Sequence, residues 1–341
     1  MRPLIDRIVD DLACPDAALL EEALRTAPAP QAHEDLVRRI EAFHRLECRP
    51  PMRPLPCPKR LRVAALNAER LKRPMEVRRL LDRAGAHVLL LSEADVGMAR
   101  SGNVHTLREL AGPTGEGHLF GVEFVELELG DGEEIRRHVG ARNACSLHGN
   151  GIVSGLAFEQ PHLVPLEESG RWFAGFKGAQ RRVGGRIAVA ARVADSPRPL
   201  WVVSLHLESK TDPADRRTQV RNLLSALALL APDEACVIGG DFNTKALPRG
   251  EGNEQSPLAE PERHEPLFAD LREAGFSWAG ANLAGPTQRD GPTKTHPRPF
   301  GKFDWFFVRG VDVDNPQIIP SLDALGQPIS DHEMIALDIL L

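Results

Sequence analysis

From residue 61 onward the chain alternates short apolar runs with polar breaks, and this alternation limits the folds open to it more than any other feature. The runs are LRVAAL (61–66), AHVLLL (86–91), RIAVAARV (186–193), LWVVSLH (200–206), ACVIGG (235–240) and FDWFFV (303–308). They are of strand length and are often bounded by Gly, Pro or polar residues, so they read as β-strands. Between them, apolar residues return at helical spacing around Met75 to Ala84, Ala214 to Ala231 and His264 to Ala274. Strands and helices interleaved in this way predict a layered α/β or α+β domain. With 341 residues, 42% of them hydrophobic, the chain is long enough for one large domain with a sizeable core and a short extra segment.

The first 58 residues have a different texture. Leu4, Ile5, Ile8, Val9 and Leu12 recur at helical spacing, as do Leu36, Val37, Ile40 and Phe43, with Pro28 and Pro30 between the two sets. The stretch from Arg49 to Pro58 is Pro-rich. We therefore expect a helical extension and linker over 1–58 and a second unit over 59–341. The polar, Gly- and Pro-containing stretch 248–261 reads as a flexible loop. The five cysteines (Cys14, Cys48, Cys57, Cys145, Cys236) are scattered, odd in number and without metal-type spacing, which predicts reduced thiols. The opening MRPLIDRIVDDLACPD places acids where a signal peptide needs an apolar run. No apolar stretch approaches the ~20 residues of a membrane span. Together these predict a cytoplasmic protein with no membrane insertion, and nothing in the sequence indicates an obligate protein partner.

Acids, amides and histidines gather at the ends of the apolar runs. The first run leads into Asn67 and Glu69, the second into Glu93 and Asp95; the fourth ends at His206, and the fifth leads into Asp241 and Asn243. Ser330, Asp331 and His332 precede a last apolar run. One polar residue after a strand is usually a turn former, but several such groups at strand ends can converge on one cleft. Carboxylate and amide oxygens are hard ligands that suit magnesium, or manganese in its place, and no Cys/His set has zinc spacing. Histidines supply proton transfer near neutral pH, and Asn and His can donate to charge building on a phosphoryl group.

The segments LNAER (66–70), LLSEAD (90–95), HGNGIVS (148–154), SLHLES (204–209), GGDFNT (239–244), KFDWFFV (302–308) and ISDHE (329–333) resemble, in order, the motifs of the endonuclease/exonuclease/phosphatase superfamily, whose fold is deoxyribonuclease I-like. The resemblance covers about residues 60–341. It implies a four-layer α/β/β/α sandwich of two packed mixed β-sheets flanked by helices, and a Mg2+-dependent hydrolysis of phosphate esters by in-line water attack. It implies Glu93 as metal ligand, with Asn67, Asp331 and Glu69 on the metal side. It implies Asn150 lining the phosphate pocket, His206 stabilising or protonating the reacting phosphate, and Asp241 and Asn243 positioning water and phosphate. His332 matches the catalytic histidine and Asp304 the acid that fixes its tautomer.

Beyond the motifs, Arg100 and Arg186 are candidates to hold substrate phosphate, since a guanidinium binds it bidentately. Asp95 reads as a turn residue, and Trp172, Trp201, Trp278 and Trp305 as core. The expected partner is a phosphate-ester substrate, with nucleic acid as the favoured class and a small-molecule, inositol or lipid phosphate as the alternative. A net charge of −6 weighs against a broad, sequence-independent grip on nucleic acid. Abasic-site endonucleases of the superfamily place a tyrosine by the scissile phosphate, and this chain has no tyrosine. A catalytically inactive binding module on the same fold is a further alternative, against which every motif position carries a competent side chain.

Overall fold

The structure is a computed structural model that describes residues 2–176, 178, 180–250 and 257–341. The chain opens with β1 (Ile8–Val9), α1 (Ala17–Arg25), α2 (Pro30–Arg39) and β2 (Leu46–Arg49). It continues through β3 (Arg60–Asn67), α3 (Pro74–Ala84), β4 (Val88–Val96), α4 (Thr106–Ala111), β5 (Gly117–Glu126), α5 (Gly132–Arg137), β6 (Leu147–Ser154) and β7 (Phe158–Pro165). Then come α6 (Arg171–Ala174), β8 (Arg182–Gly184), β9 (Ile187–Val193), β10 (Leu200–His206), α7 (Pro213–Leu230), β11 (Ala235–Asp241) and α8 (Leu267–Glu273). The last strands are β12 (Asp304–Arg309), β13 (Asp312–Ile319) and β14 (Met334–Leu340).

Among the described residues the strands form two mixed sheets. One runs β1-β2-β5-β6-β4-β3-β14-β13 with β8 also paired to β5; the other runs β12-β11-β10-β9-β7. Strand alternation explains why they stack. In β3, Leu61, Val63 and Ala65 point to one face and Ala64 and Leu66 to the other. The first set packs with Val189, Val202 and Val237 of the second sheet; the second packs with Val77, Leu80 and Leu81 of α3. On the outer face of the second sheet, Trp201, Val203 and Ile238 meet Val220, Leu223 and Leu227 of α7 and Phe268 of α8. The result is the expected four-layer α/β/β/α sandwich.

Register carries the polar strand ends to one edge. β10 and β11 are parallel with His206 opposite Asp241, and β11 and β12 are antiparallel with Asp241 opposite Asp304. In the other sheet β3 and β4 are parallel with Asn67 opposite Ser92, one residue before Glu93. The segment carrying Asp331 and His332 leads directly into β14, which pairs with β3.

Two expectations fail near the N-terminus. Residues 4–12 are not helical: Ile5 bridges to Leu163, and β1 pairs in parallel with β2, which joins β5. A helix this short is marginal alone, and sheet pairing supplies more backbone hydrogen bonds than local periodicity can. The cysteines are also not all free. Cys14 and Cys145 form a disulfide that ties the N-terminal segment to the loop before β6, while Cys48, Cys57 and Cys236 are free. Sequence spacing could not reveal a bond across 131 residues. No described helix is long and apolar enough to cross a membrane. The loop expected over 248–261 falls partly on 251–256, outside the described residues.

Candidate active site

Strands β10, β11 and β12 of the second sheet, with the segment leading into β14, contribute a chain of acid and imidazole groups. His332 Nδ1 lies 2.8 Å from Asp304 Oδ2, and His332 Nε2 lies 3.7 Å from Asp241 Oδ2. Asp304 is held by its own backbone N–H donating to Thr287 Oγ1 at 2.9 Å. Burial alone would lower the His332 pKa, but the Asp304 and Asp241 carboxylates reverse this and hold it well above the ordinary histidine value. Burial pushes the Asp241 carboxyl up to about 6 against the pull of His332. Asp241 Oδ1 accepts from the Asn243 backbone N–H at 2.8 Å, a turn made possible by Asn243 at φ 48°, in the left-handed region that Asn tolerates. His206 Nε2 sits 3.4 Å from Asp241 Oδ2. Burial, with the Arg186 charge adding, holds His206 well below its usual value, so its ring is neutral at pH 7.

The first sheet contributes the hard oxygens. Asn67 joins the two halves: its amide donates to Glu93 Oε1 at 3.2 Å and to Asp241 Oδ2 at 3.1 Å. Glu93 has φ 63°, and the β4–β6 register shifts between Leu91 and Ala94, so a bulge turns this one side chain toward the cleft. Burial would raise the Glu93 carboxyl, yet the Arg70 guanidinium, which hydrogen-bonds it, holds it well below the usual range. Asp331 accepts from His296 at 3.1 Å. Glu69 is buried, and among the described residues its Oε2 has no hydrogen-bond partner. Burial and the neighbouring Asp331 charge raise its pKa. A Cβ on Gly291 would meet Glu69 Oε2 and the Asp331 Cβ, each at 2.8 Å, so only glycine leaves the space between these two acids open.

Asn67, Glu93, Asp241, Asn243, His206, Asp331 and His332 line one cleft of about 290 Å³. Glu69 and Asp304 stand outside this lining, and the remaining expected site residues are placed in different ways. Asn150 is wholly buried and spends its side chain on Glu93 N (3.4 Å) and Ile187 O (3.2 Å), so it supports the bulge rather than lining the pocket. Arg186 does line the cleft, but its charge is met by Glu123 at 2.7 Å and Glu208 at 3.0 Å. Arg100 does not reach the cleft. Its fully buried guanidinium grips Asp95 at 2.8 and 2.9 Å, Glu126 at 3.0 Å and Glu134 at 3.1 Å. Asp95 is likewise no turn residue but a buried member of β4 that also takes His148 at 2.8 Å. Removing one partner of a buried ion cluster leaves uncompensated charge, so Arg100→Gln should lower stability by about 3–5 kcal/mol in urea titration, while turnover per folded molecule stays near wild type. All four tryptophans are buried; Trp201, Trp278 and Trp305 pack in the core as expected, whereas Trp172 lines the cleft.

Sequence reasoning passed over several residues at this site. Glu123, in the middle of β5, is fully buried; among the described residues its Oε2 lacks a hydrogen-bond partner, and it lies 3.9 Å from His206 Nδ1. Burial pushes its carboxyl up to about 7 despite Arg186. Arg70, Lys210, Lys245, Lys294 and His296 also line the cleft. For three of them the signal was proximity to motif residues, with Arg70 inside LNAER, Lys210 directly after SLHLES and Lys245 directly after GGDFNT; Lys294 and His296 lie outside the motifs.

Comparison with known proteins agrees with this geometry. The sequence profile of the Endonuclease/Exonuclease/phosphatase family matches residues 64–332. No curated protein matches the chain by sequence. An endonuclease/exonuclease/phosphatase from Beutenbergia cavernae DSM 12333 superposes with a TM-score of 0.56 at 20% identity, covering 83% of this chain and 72% of that one. The human Nocturnin catalytic domain gives 0.55 at 14% identity, covering 86% and 96%. Truncated TDP2 from Caenorhabditis elegans gives 0.51 at 14% identity, covering 83% and 98%. At such identities the structural likeness establishes the fold, and the profile match over most of the chain establishes the lineage. The chain belongs to the endonuclease/exonuclease/phosphatase family, whose members are metal-dependent enzymes that hydrolyse phosphate esters.

Proposed function

We propose that the protein is a magnesium-dependent phosphodiesterase, with a nucleic-acid phosphodiester as the favoured substrate. The observation that carries this reading is one cleft with hard oxygens from Asn67, Glu93 and Asp331 on one side and the Asp304–His332–Asp241 chain on the other. Glu93, Asn67, Asp331 and Glu69 are the residues that would hold the metal. The donor set is all oxygen, as Mg2+ or Mn2+ requires. The unpartnered buried Glu69 Oε2 and the open space kept by Gly291 fit a cation beside them. When bound, the ion supplies Lewis-acid polarisation of a phosphoryl oxygen and orients the ester.

The chain's own residues account for the remaining chemistry. Asp304 keeps His332 charged, so His332 acts as a proton donor and positive group toward the phosphate rather than as a base. Asp241, with its lone pairs directed by Asn243 and Asn67, is the group that orients a water and accepts its proton. The neutral His206 ring and the Asn243 amide donate to the charge that develops on the phosphoryl oxygens. Residues 59–341 carry this chemistry, and 1–58 act as an extension stapled to it. The expectation of a cytoplasmic location rested in part on reduced thiols, and the Cys14–Cys145 bond removes that part of its support.

The test is hydrolysis of single- and double-stranded DNA, RNA, bis-(p-nitrophenyl) phosphate and inositol phosphates, with Mg2+ or with chelator. Metal-dependent cleavage of a polymer is the expected result. Cleavage confined to small esters would move the assignment to a metabolic phosphoesterase, a second reading that the net charge of −6 favours. In parallel, Mg2+ at about 100 times its dissociation constant should stabilise the fold by about 2.7 kcal/mol, read as a rise in Tm. Glu93→Gln should remove most of that rise, and an equal rise in the variant would dismiss Glu93 as a ligand.

A further inference from the structure

The cleft holds more positive charge than the hydrolytic residues use. Among the described residues six lysine and arginine side chains line it: Arg70, Arg182, Arg186, Lys210, Lys245 and Lys294. Four of them are met by carboxylates. Arg70 pairs with Glu93 and Glu134, Arg182 with Glu126 at 2.9 Å, Arg186 with Glu123 and Glu208, and Lys294 with Asp131 at 3.5 Å. Lys210 and Lys245 differ, for among the described residues neither forms an ion pair with a carboxylate. Both are exposed to the cleft, and they share one wall. Lys245 Nζ donates to the Ser209 carbonyl at 2.9 Å, next to Lys210, whose ammonium sits 4.5 Å from the centre of the Trp172 ring.

The placement of this wall matters. Lys210 lies four residues after His206, and Lys245 two after Asn243. Both lysines thus follow segments that supply groups facing the reacting phosphate, and both line the same cleft. Both ammonium groups are pushed below the usual lysine value, first by desolvation; Arg182 adds to this for Lys210 against Glu208 and Asp131, and for Lys245 the pull of Asp241 is opposed by Arg186. Ammonium groups that are partly desolvated and have no carboxylate in ion-pair contact are relieved when an anion binds between them.

We propose that Lys210 and Lys245 form a second anion subsite, which holds a phosphate group one linkage away from the phosphate ester that is cut. This rests on the phosphodiesterase reading above and narrows it. The substrate carries at least two phosphates close together, as an oligonucleotide or a bisphosphorylated nucleoside-type small molecule does. The assignment explains how a chain of net negative charge engages a polyanion, since the attraction is concentrated within the cleft instead of being spread over a face.

Two measurements test it on the full chain. The first needs no turnover: calorimetric titration of metal-free protein with orthophosphate and with pyrophosphate. Wild type should bind pyrophosphate at least about tenfold more tightly, the return on one added charge-assisted contact. The double variant Lys210→Met, Lys245→Met should lose that preference, while His332→Ala should keep it. Equal binding of the two anions by wild type, or a preference that survives in the double variant, would overturn the subsite even if the enzyme proves to be a phosphodiesterase. The methionines keep the aliphatic stems, and an unchanged Tm establishes that the variant folds. The second measurement compares kcat/KM for thymidine 5′-(p-nitrophenyl phosphate) with and without a 3′-phosphate. Wild type should prefer the bisphosphorylated ester about tenfold and the double variant should not. No preference in wild type again rejects the subsite. A further gain with a trinucleotide assigns the second phosphate to a polymer, and none assigns it to a small molecule.

Discussion

Replacing His332 with Ala should cut turnover by at least about 100-fold and by as much as about 10,000-fold, the range for a positioned acid or base. His332 is placed by two contacts that serve no evident structural purpose. Asp304, itself fixed by Thr287, takes the Nδ1 side at 2.8 Å, which leaves Nε2 directed toward Asp241 and the cleft. A buried histidine with two carboxylates around it is charged at pH 7, so the variant loses both a proton donor and a positive charge facing the phosphate. Asp304→Asn keeps the shape of the contact but removes the charge that sustains the imidazolium. It should fall between wild type and His332→Ala in kcat, with KM for a small ester nearly unchanged. Steady-state hydrolysis of bis-(p-nitrophenyl) phosphate at saturating Mg2+ reads both. A near-normal rate in His332→Ala would sink the assignment of this histidine, and equal losses in KM and kcat for Asp304→Asn would mean that it merely holds the loop.

The legibility of this site in the sequence follows from where its groups sit on their strands. Asn67, His206 and Asp241 end apolar runs, so the change from apolar to polar marks them, and parallel pairing of β10 with β11 and of β3 with β4 carries their ends to one edge. Glu123 carries no such mark. It sits inside Gly117–Glu126, every residue of which is buried, where His118, Glu123 and Glu126 interrupt the apolar pattern. Buried carboxylates matched by Arg182, Arg186 and Arg100 look in sequence like solvated charges, so both the strand and its site residue were overlooked. Arg100 is the reverse case. An arginine in a loop near a catalytic motif suggests phosphate contact, but three carboxylates from separate elements enclose it, and no local signal encodes that enclosure. The N-terminal strands were missed for the same reason, because β1 and β2 exist by pairing with partners distant in sequence.

Reduction of the Cys14–Cys145 bond should lower the stability of the protein by up to about 5 kcal/mol, because the bond closes a loop of 131 residues and long loops lose the most denatured-state entropy on cross-linking. The effect should reach the active site. Gly97 packs directly against Cys145, so that a Cβ there would meet the Cys145 Cβ at 2.4 Å. Cys145 N also donates to the Gly97 carbonyl at 2.9 Å, and β6 begins two residues later with Leu147 and His148 beside Asp95. β6 in turn supplies Asn150, which supports the bulge that aims Glu93. Loss of the covalent tie therefore frees the segment around residue 14 and loosens the end of β6 at once. The double variant Cys14→Ser, Cys145→Ser should unfold at lower urea than wild type, and dithiothreitol should shift wild type to match the variant while leaving the variant unmoved. The stability loss should come with weaker Mg2+ stabilisation if the support of Glu93 through β6 is real. If wild type and variant unfold together under non-reducing conditions, then the two cysteines are not bonded in solution.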